Sequence, residues 1–450
     1  MPAGEIAVLG LAKSGTAVAR LLLADGRKVY ASDTSLTDAT TKNAEALEAF
    51  GAEAVAGSHD LSRIARASLV VASPGIPPNA PPLAAARAAG VRIVSEIEIA
   101  LRYLRTSRVI AVTGTNGKTT TTALVGHILR GLGLDAVDAG NIGTPLAEIA
   151  LRNPQPAWIA LEMSSFQLHD TPGLDPAVGV LTNLSPDHLD RYPTVTEYYD
   201  DKARLFANAS SSSRWILNAD DDRVLAMAAN IPGDKSHFST RKQADAWLDH
   251  STGWLMLLGQ ALLERSELNL LGDHNVANAL AAALAVSVAD DAFRTGEARA
   301  QIRESFRTFN PLSHRLEIVG ERNGVQWIND SKATNVSSTL VAIQGIRRPT
   351  ILLLGGRHKG EPYTSLAEAI RKRVKHVIAF GEAGPVVEKD LTGTVPIDLL
   401  GSDFDEVIRR ARELAVPGDA ILLSPACSSY DMFRNYEERG ARFRQLAAES

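Results

Sequence analysis

Residues 108–122, RVIAVTGTNGKTTTT, join an apolar run to a glycine-rich turn and a lysine–threonine pair. This order predicts a buried strand, a turn whose backbone N–H groups point inward, and a helix N-terminus behind them. Together these features bind phosphate. Gly114 and Gly117 give the turn its backbone freedom. Lys118 can reach the β- and γ-phosphates of a nucleotide, and Thr119 can offer its hydroxyl to Mg²⁺.

The loop departs from the general GxxxxGK[ST] spacing at one place. That spacing needs a glycine at position 112, where this chain has Val112. The strand, the turn, the lysine–threonine pair and the helix still follow one another in the right order. We therefore predict a phosphate loop, and the alternative is a glycine turn with an incidental lysine.

Side chains suited to metal chemistry follow the next apolar runs. Glu162 ends the run in IALEMSSFQL, and Asp187, His188 and Asp190 lie just beyond the run in GVLTNLSPDHLD. Lys202 lies on the predicted helix EYYDDKARLF. Each has a purely structural alternative: a turn cap, a packed imidazole or a solvated lysine. Because Mg²⁺ in ATP chemistry is held by hard oxygen ligands, we predict that together they form a metal-lined ATP site.

A second glycine turn opens the chain, in IAVLGLAKSGTAVARLLLADG. The dinucleotide fingerprint GxGxxG needs a glycine at position 12, where the chain has Ala12, while Gly10 and Gly15 remain. Asp33 follows the second strand. This segment predicts a nucleoside diphosphate ligand. A nicotinamide-dependent oxidoreductase is an alternative, but hydride transfer does not explain the second loop.

The elements that position these residues alternate between short apolar runs and Ala/Leu-rich helical segments almost throughout. This pattern predicts an α/β protein with largely parallel sheets, whose ligands bind beyond the carboxyl ends of the strands. We predict three domains, because 450 residues are too many for one core. They are a Rossmann-like domain over 1–105, a central ATP-binding domain over 106–310, and a Rossmann-like C-terminal domain over 311–450.

Composition limits the class of protein. The net charge of −5 gives no basic surface for nucleic acid, and no apolar run reaches membrane-spanning length. The single cysteine, Cys427, allows no intramolecular disulfide, which fits a reducing cytoplasm. We expect a cytoplasmic protein, a monomer, with small-molecule partners and no contact with nucleic acid or membrane.

The order of TGTNGKT, GNIG, ExSSFQL, NxxxDHxDRY and YxxxK along the chain resembles that of the Mur ligases, most closely the members that add D-glutamate. The tail SPACSS followed by DxFxNYExRG points the same way. This resemblance implies ATP-dependent addition of D-glutamate to UDP-N-acetylmuramoyl-L-alanine through an acyl phosphate, in cytoplasmic peptidoglycan precursor synthesis. One alternative is a sister ligase for another amino acid, including L-glutamate. A second is folylpolyglutamate synthetase, which has a similar phosphate loop, and a third is a nucleotide-binding module without catalysis.

The resemblance also implies roles around ATP and two Mg²⁺ ions. Thr119 and Glu162 would hold one ion, and His188 the second. Lys202 would be carbamylated and so become a carboxylate-like metal ligand. Lys118 would bind phosphate, Arg315 the γ-phosphate and Asp330 the ribose. The implied ATP-binding residues are Thr115, Asn116, Gly117, Lys118, Thr119, Thr120, Asn275, Asn278, Arg315 and Asp330.

The remaining roles concern the two other substrates. Asn141 would orient the carboxylate to be activated, and His314 or a phosphate oxygen would take the proton of the amine. The residues implied for the UDP substrate are Leu11, Ala12, Lys13, Ser14, Asp33, Thr34, Ser73, Pro74, Gly75, Asn141 and His188. Those implied for D-glutamate are Lys332, Thr334, Lys359, Ser428, Ser429 and Tyr436. Many Mur ligases have phenylalanine where this chain has Tyr436.

Overall fold

The computed structural model describes residues 2–188, 191–268, 270–310 and 312–449. Their strands form three sheets, one after another along the chain, so the predicted α/β class with three domains is confirmed. The boundary predicted near 105 falls between the first two sheets. The other, at Pro311, lies outside the described residues, as does Asp190. Both boundaries stay predictions.

The first sheet has five parallel strands in the order β3-β2-β1-β4-β5. Ile6 and Val8 pack into one apolar cluster, while Ala7 and Leu9 pack into another, so both faces of the sheet are covered. This double burial explains why the strands read as continuous apolar runs. The elements are β1 Ile6–Leu9, α1 Lys13–Ala24, β2 Val29–Asp33, α2 Asp38–Ala49, β3 Glu53–Ala56, α3 Leu61–Ile64, β4 Leu69–Ala72, α4 Pro81–Ala88, β5 Ile93–Ser95 and α5 Glu96–Leu101.

The second sheet has nine strands in the order β14-β13-β12-β11-β10-β9-β6-β8-β7. It is parallel from β7 to β12 and ends in an antiparallel meander, β12 to β14, that the sequence did not lead us to predict. The strands are β6 Arg108–Thr113, β7 Ala136–Gly140, β8 Trp158–Glu162, β9 Val178–Leu181, β10 Arg214–Asn218, β11 Asp234–Ser239, β12 Ala246–Asp249, β13 Trp254–Leu257 and β14 Gln260–Glu264. The helices are α6 Lys118–Gly131, α7 Leu146–Ala150, α8 Ser165–His169, α9 Val195–Ala203, α10 Asp222–Ala228, α11 Asp273–Ala289 and α12 Gly296–Thr308.

Strand order in this sheet brings the predicted chemistry together. β6 lies between β8 and β9, with Val112 opposite Glu162 and Thr113 opposite Leu181. All three strands run in the same direction, so their carboxyl ends meet at one edge. The turn after β6 therefore lies between Glu162 and the segment that follows β9.

The third sheet has six strands in the order β15-β16-β20-β17-β18-β19, antiparallel only between β15 and β16. β20 is inserted between β16 and β17, and Leu423 lies opposite both Asn329 and Leu353. The loops after these three strands therefore emerge side by side. The elements are β15 Glu317–Arg322, β16 Val325–Asn329, α13 Val336–Gly345, β17 Thr350–Gly355, α14 Ala367–Arg373, β18 Val374–Phe380, α15 Gly384–Leu391, β19 Ile397–Leu399, α16 Phe404–Leu414, β20 Ala420–Leu423 and α17 Tyr436–Ala448.

Four short 3₁₀ turns complete the described structure, at Arg204–Phe206, Arg265–Glu267, Asp291–Arg294 and Tyr363–Leu366. Among the described residues, no helix combines the length and the apolar character that a membrane span needs.

Candidate active site

The turn after β6 has the backbone of a phosphate loop. Gly114 and Gly117 have φ values of 141° and 80°, which L side chains rarely adopt. Gly117 caps helix α6, so Lys118 is the first helical residue. A Cβ atom on Gly117 would lie 2.3 Å from Asn278 Oδ1, so close packing against α11 requires glycine here as well.

Neighbouring strands hold the tip of the loop in place. The backbone N–H of Asn116 donates to Asn183 Oδ1 at 2.8 Å, and the carbonyl of Asn116 accepts from Thr182 Oγ1 at 2.6 Å. Thr115 Oγ1 donates to the carbonyl of Ser185 at 2.9 Å. These hydrogen bonds to the segment that follows β9 hold the turn in place without a ligand.

Two lysines converge on one carbonyl of the loop. Lys118 Nζ donates to the Gly114 carbonyl at 3.0 Å and to the Thr115 carbonyl at 2.6 Å. Lys202 Nζ, on α9, donates to the same Gly114 oxygen at 2.7 Å and is 1% exposed. Burial lowers the pKa of Lys118, although Glu162 counteracts this. Burial, and then the nearby Lys118, lowers the pKa of Lys202 well below its ordinary value.

Glu162 ends β8 beside these lysines and is almost fully buried. Its Oε1 accepts from Asn141 Nδ2 at 2.7 Å, while its Oε2 is buried and has no hydrogen-bond partner among the described residues. A buried carboxylate oxygen without a partner is costly. The arrangement therefore favours a cation or donor that arrives with a ligand.

His188 and Asp187 lie just beyond β9. Asp187 Oδ1 accepts from the His188 backbone N–H at 2.8 Å, and the His188 ring lies edge-on to Phe166, with centroids 5.2 Å apart. Burial raises the pKa of Asp187, but the nearby His188 and Lys359 outweigh burial and hold that pKa below its usual value.

A cavity of about 950 Å³ opens between the phosphate loop and the last domain. Its lining includes most of the residues predicted for ATP. They are Asn116, Gly117, Thr120, Asn275, Asn278, Arg315 and Asp330, together with Lys332. Asn275 and Asn278 hydrogen-bond each other at 3.0 Å, and Asn278 Oδ1 also accepts from Thr121 at 3.3 Å. Glu162, His188 and Lys202 lie outside the lining of this cavity.

Arg315 connects the last domain to the phosphate loop. Its Nη2 donates to Thr119 Oγ1 at 2.6 Å, and burial lowers the pKa of the guanidinium. Asp330, at the end of β16, accepts from Ser424 Oγ at 2.8 Å and from the Leu316 N–H at 3.1 Å. Burial raises the pKa of this carboxyl to about 7.

Five of the residues predicted for the amino acid lie on the three adjacent loops of the last sheet, and the sixth, Tyr436, begins α17. Lys332 Nζ lies 3.8 Å from the centroid of the Tyr436 ring, and burial lowers the pKa of this lysine to about 8. Lys359 Nζ is 3.4 Å from Thr334 Oγ1. Ser428 and Ser429 are on the loop after β20; Ser429 is buried, whereas the Ser428 hydroxyl faces the Arg357 carbonyl.

His314 has φ of 65°, an uncommon conformation for a non-glycine residue. Its Nδ1 lies 3.0 Å from Asn329 Nδ2, which also donates to the Gly440 carbonyl at 3.1 Å. An amide nitrogen only donates, so Nδ1 accepts and the proton of the neutral ring is on Nε2. A Cβ atom on Gly440 would lie 2.1 Å from Nδ1, so this glycine makes room for the imidazole.

Nine of the eleven residues predicted for the UDP substrate lie in the first domain, around or near its glycine turn; Asn141 and His188 lie in the central domain. The Leu11 N–H donates to Asp33 Oδ2 at 2.8 Å, and a Cβ atom on Gly10 would lie 2.4 Å from Ser73 Oγ. This hydroxyl is buried, with no hydrogen-bond partner in the residues that the structure describes. Ala12, Lys13 and Thr34 are exposed, and Ser14 is partly buried.

Arg191 links the loop of Pro74 and Gly75 to the central domain. It donates to the Gly75 carbonyl at 2.9 Å and to the Pro74 carbonyl at 3.4 Å, and its guanidinium lies 4.9 Å from the centroid of the Phe166 ring. The same ring contacts His188. The loop of Pro74 and Gly75 is thereby joined to His188, one of the predicted metal ligands.

Sequence reasoning missed the contacts that close the last domain onto the phosphate loop. Asn116 Nδ2 donates to Ser337 Oγ, and Ser338 Oγ donates to Asn116 Oδ1, both at 2.9 Å. Asn335 Nδ2 donates to Asp187 Oδ2 at 3.0 Å. The serines at the start of α13 carry no local signal for this contact, because their partner lies more than 200 residues earlier.

Profiles of three Mur ligase domains match the chain in order. The Mur ligase MurD-like N-terminal domain matches residues 4–95, the Mur ligase middle domain 112–286, and the Mur ligase glutamate ligase domain 314–427. These segments correspond to the three sheets.

Curated relatives match over nearly the whole length. The UDP-N-acetylmuramoylalanine--D-glutamate ligase of Anaeromyxobacter dehalogenans (strain 2CP-C) is 41% identical over 460 residues, covering 99% of this chain and 97% of the relative. The enzyme of the same name from Pelobacter propionicus (strain DSM 2379 / NBRC 103807 / OttBd1) is 39% identical, covering 98% and 97%.

Solved structures share the fold. A pseudomurein peptide ligase type C from Methanothermus fervidus has a TM-score of 0.62 at 20% identity, covering 99% of each chain. MurF ligase from Thermotoga maritima in complex with ADP has a TM-score of 0.60 at 16% identity, covering 85% of this chain and 90% of that one. At these identities the likeness concerns the fold alone.

Proposed function

The chain belongs to the Mur ligase family, and on this premise we propose that it joins D-glutamate to UDP-N-acetylmuramoyl-L-alanine in an ATP-dependent step of peptidoglycan synthesis. The observation that carries the proposal is the junction of the phosphate loop with the last domain. Arg315 reaches Thr119 there, beside a cavity lined by the predicted ATP residues. A nucleotide bound at this junction would contact two domains at once.

The reaction needs two bond changes, and ATP drives the first. The L-alanine carboxylate attacks the γ-phosphorus, ADP leaves, and an acyl phosphate forms. The amine of D-glutamate then attacks the acyl carbon, and the tetrahedral intermediate expels phosphate to leave an amide. Negative charge grows on the phosphoryl oxygens in the first step, where Lys118 and Arg315 would stabilise it.

The donor set fits Mg²⁺. Within the described residues, no group of three acidic, histidine or cysteine side chains could hold an ion alone. Mg²⁺ at phosphate sites usually takes one or two carboxylates and completes its shell with phosphates and water. Glu162 Oε2, which has no hydrogen-bond partner in the described part of the chain, would supply such an oxygen. We propose that Thr119 and Glu162 hold one ion and His188 and carbamylated Lys202 a second, and that Mg²⁺ neutralises phosphate charge when bound.

Lys202 is suited to carbamylation because of its burial. Burial lowers the pKa of Lys202 and so favours the neutral amine, which is the form that attacks CO₂. The new N–C bond forms, the nitrogen loses a proton, and a carbamate anion replaces a potential ammonium. The change turns a group that repels metal ions into an oxygen ligand.

The proton of the attacking amine goes to a phosphate oxygen in our proposal. His314 is the alternative acceptor, but in the neutral ring its Nδ1 lone pair is engaged by Asn329 and its Nε2 carries the hydrogen. That arrangement leaves the ring no free lone pair. The histidine is suited instead to donating a hydrogen bond from Nε2.

We propose that each domain contributes its own part of the substrate sites. The UDP moiety lies at the first glycine turn against Asp33 and the loop of Ser73, Pro74 and Gly75, with Asn141 orienting the acceptor carboxylate. The carboxylates of D-glutamate meet Lys332 and Lys359, and the hydroxyls of Thr334, Ser428, Ser429 and Tyr436. We propose that the enzyme acts as a cytoplasmic monomer, in agreement with its single, buried thiol.

Phosphate release across an amino-acid panel tests the proposed function. With ATP, Mg²⁺ and UDP-N-acetylmuramoyl-L-alanine present, D-glutamate is expected to raise phosphate release at least about tenfold over L-glutamate, because unpaired polar contacts discriminate strongly. Equal rates with both enantiomers, or no response to D-glutamate, would refute the specificity. A response to a different amino acid would indicate a sister ligase, and a folate acceptor used in place of the UDP substrate would indicate the folylpolyglutamate class. A change in nicotinamide absorbance would indicate an oxidoreductase, and ATP binding without phosphate release a non-catalytic module.

The contacts of Asn116 predict a specific effect on ATP binding. In a Ser337→Ala/Ser338→Ala variant, the phosphate loop loses both hydroxyl contacts with the last domain, and we expect KM for ATP to rise about tenfold. The measurement is initial rate against ATP concentration. Ser210→Ala/Ser212→Ala, in an exposed loop where the two hydroxyls bond each other at 3.0 Å, is the matched control. An unchanged KM for ATP would show that the serines do not support closure.

A further inference from the structure

The tail motif on α17 contains a charged side chain that the proposed reaction does not use. Arg439 is 0% exposed, so its guanidinium cannot touch a substrate. Burying a cation is unfavourable unless hydrogen bonds compensate. Within the described part of the chain, Arg439 donates to four uncharged acceptors: three backbone carbonyls and one serine hydroxyl.

These acceptors belong to two different loops. Arg439 Nε donates to Ser331 Oγ at 3.0 Å, and Nη2 donates to the Ser331 carbonyl at 2.8 Å. On the other side, Nη2 donates to the Cys427 carbonyl at 3.1 Å and Nη1 to the Ser428 carbonyl at 3.4 Å. One planar group thus spans the loop after β16 and the loop after β20.

A third loop is joined through the same carbonyl. The Arg357 N–H donates to the Ser428 carbonyl at 2.9 Å, and Lys359 lies two residues further along. Lys359 in turn reaches Thr334 on the first loop at 3.4 Å. All three loops carry residues proposed for the amino acid, and the guanidinium of Arg439 lies behind them.

We propose that Arg439 is a positioning residue for the amino-acid substrate: it sets the separation of the segments 331–334 and 427–429, and through them the placement of the groups that bind the two carboxylates. This inference rests on the proposed function. It explains why the guanidinium is buried with no hydrogen bond to a carboxylate of the described residues, because a planar group with five donors can satisfy acceptors on two loops at once. Burial lowers the pKa of Arg439 to about 10, which leaves it protonated at neutral pH.

The test is the KM of an Arg439→Lys variant for D-glutamate, with ATP and the UDP substrate saturating. Lysine keeps the charge but cannot span four acceptors in one plane, so we expect this KM to rise about tenfold while KM for ATP and for the UDP substrate changes less than about twofold. Arg412→Lys is the matched control, because Arg412 on α16 donates to the Leu446 carbonyl of α17 and to neither loop. It is expected to leave all three KM values unchanged.

A purely structural role for Arg439 would lower the melting temperature and the fraction of active enzyme without raising KM for D-glutamate alone. An unchanged KM for D-glutamate, or an equal rise in all three, would therefore overturn the inference. If Arg439→Lys fails to fold, Ser331→Ala takes its place, because it removes the acceptor of Nε. Wild-type turnover with D-glutamate tests the proposed function separately; if the wild type prefers another amino acid, the same comparison is made with that substrate.

Discussion

Replacing Lys118 with alanine is expected to lower kcat for D-glutamate-dependent phosphate release by about a thousandfold, the loss seen when one preorganised donor to developing charge is removed. The side chain is held over the phosphate loop by the carbonyls of Gly114 and Thr115, so it is in place before ATP arrives. Burial disfavours its charge in the free enzyme. Bound phosphates would favour the charged form of Lys118. The alanine variant has no ammonium group to interact with them.

The fold of this variant is expected to remain intact, because alanine removes a buried polar group and leaves the backbone of the loop unchanged. The measurement is single-turnover phosphate release at saturating ATP, with the melting temperature recorded alongside. Lys242→Ala, at an exposed position, is the control. Activity within about threefold of the wild type would mean that transition-state charge is stabilised elsewhere, against the expectation for such donors.

The second large effect is expected at Lys202. Lys202→Ala should lower kcat more than about a hundredfold, because the variant would lose the proposed metal ligand, and even the loss of a group that orients a ligand costs up to about a hundredfold. If the ligand is a carbamate, short carboxylates such as formate or acetate should partly restore turnover, since they supply the same oxygen pair in the space left by the side chain. Chloride at equal ionic strength should not restore turnover, because it supplies no oxygen pair.

An independent readout does not require turnover. The wild type equilibrated with ¹³C-bicarbonate should show a carbamate carbon resonance that is absent from Lys202→Ala. Lys372→Ala, which removes an exposed lysine paired with Glu368, should leave the resonance unchanged. A wild type without the resonance, or a Lys202→Ala variant with full activity, would exclude the carbamate.

The features that could be predicted from sequence are those encoded locally. The phosphate loop was recognised despite Val112, because an apolar strand, a glycine turn and a helix start within 15 residues fix its geometry. Glu162 could be placed beside it because parallel strands end at a common edge. The α/β fold class could be predicted because apolar runs alternate with helical segments along the chain.

The missed features depend on residues far apart in sequence. Nothing near Ser337 indicates Asn116, and nothing near Arg439 indicates the Cys427 carbonyl, because backbone acceptors leave no trace in residue type. The β12 to β14 meander escaped prediction because it breaks the alternation of strands and helices: these three strands follow one another with no helix between them. The positive φ of His314 is likewise fixed by packing against Gly440.

The insertion of β20 between β16 and β17 has a consequence for the order in which the protein forms during translation. The first and second sheets can assemble as soon as their own strands leave the ribosome, but the third has a gap at its centre until residues 420–423 emerge. A nascent chain that ends before β20 would therefore have a finished phosphate loop and no place for the amino acid. On this topology, competence for ligation waits for the final strand and for α17, which carries Tyr436 and Arg439.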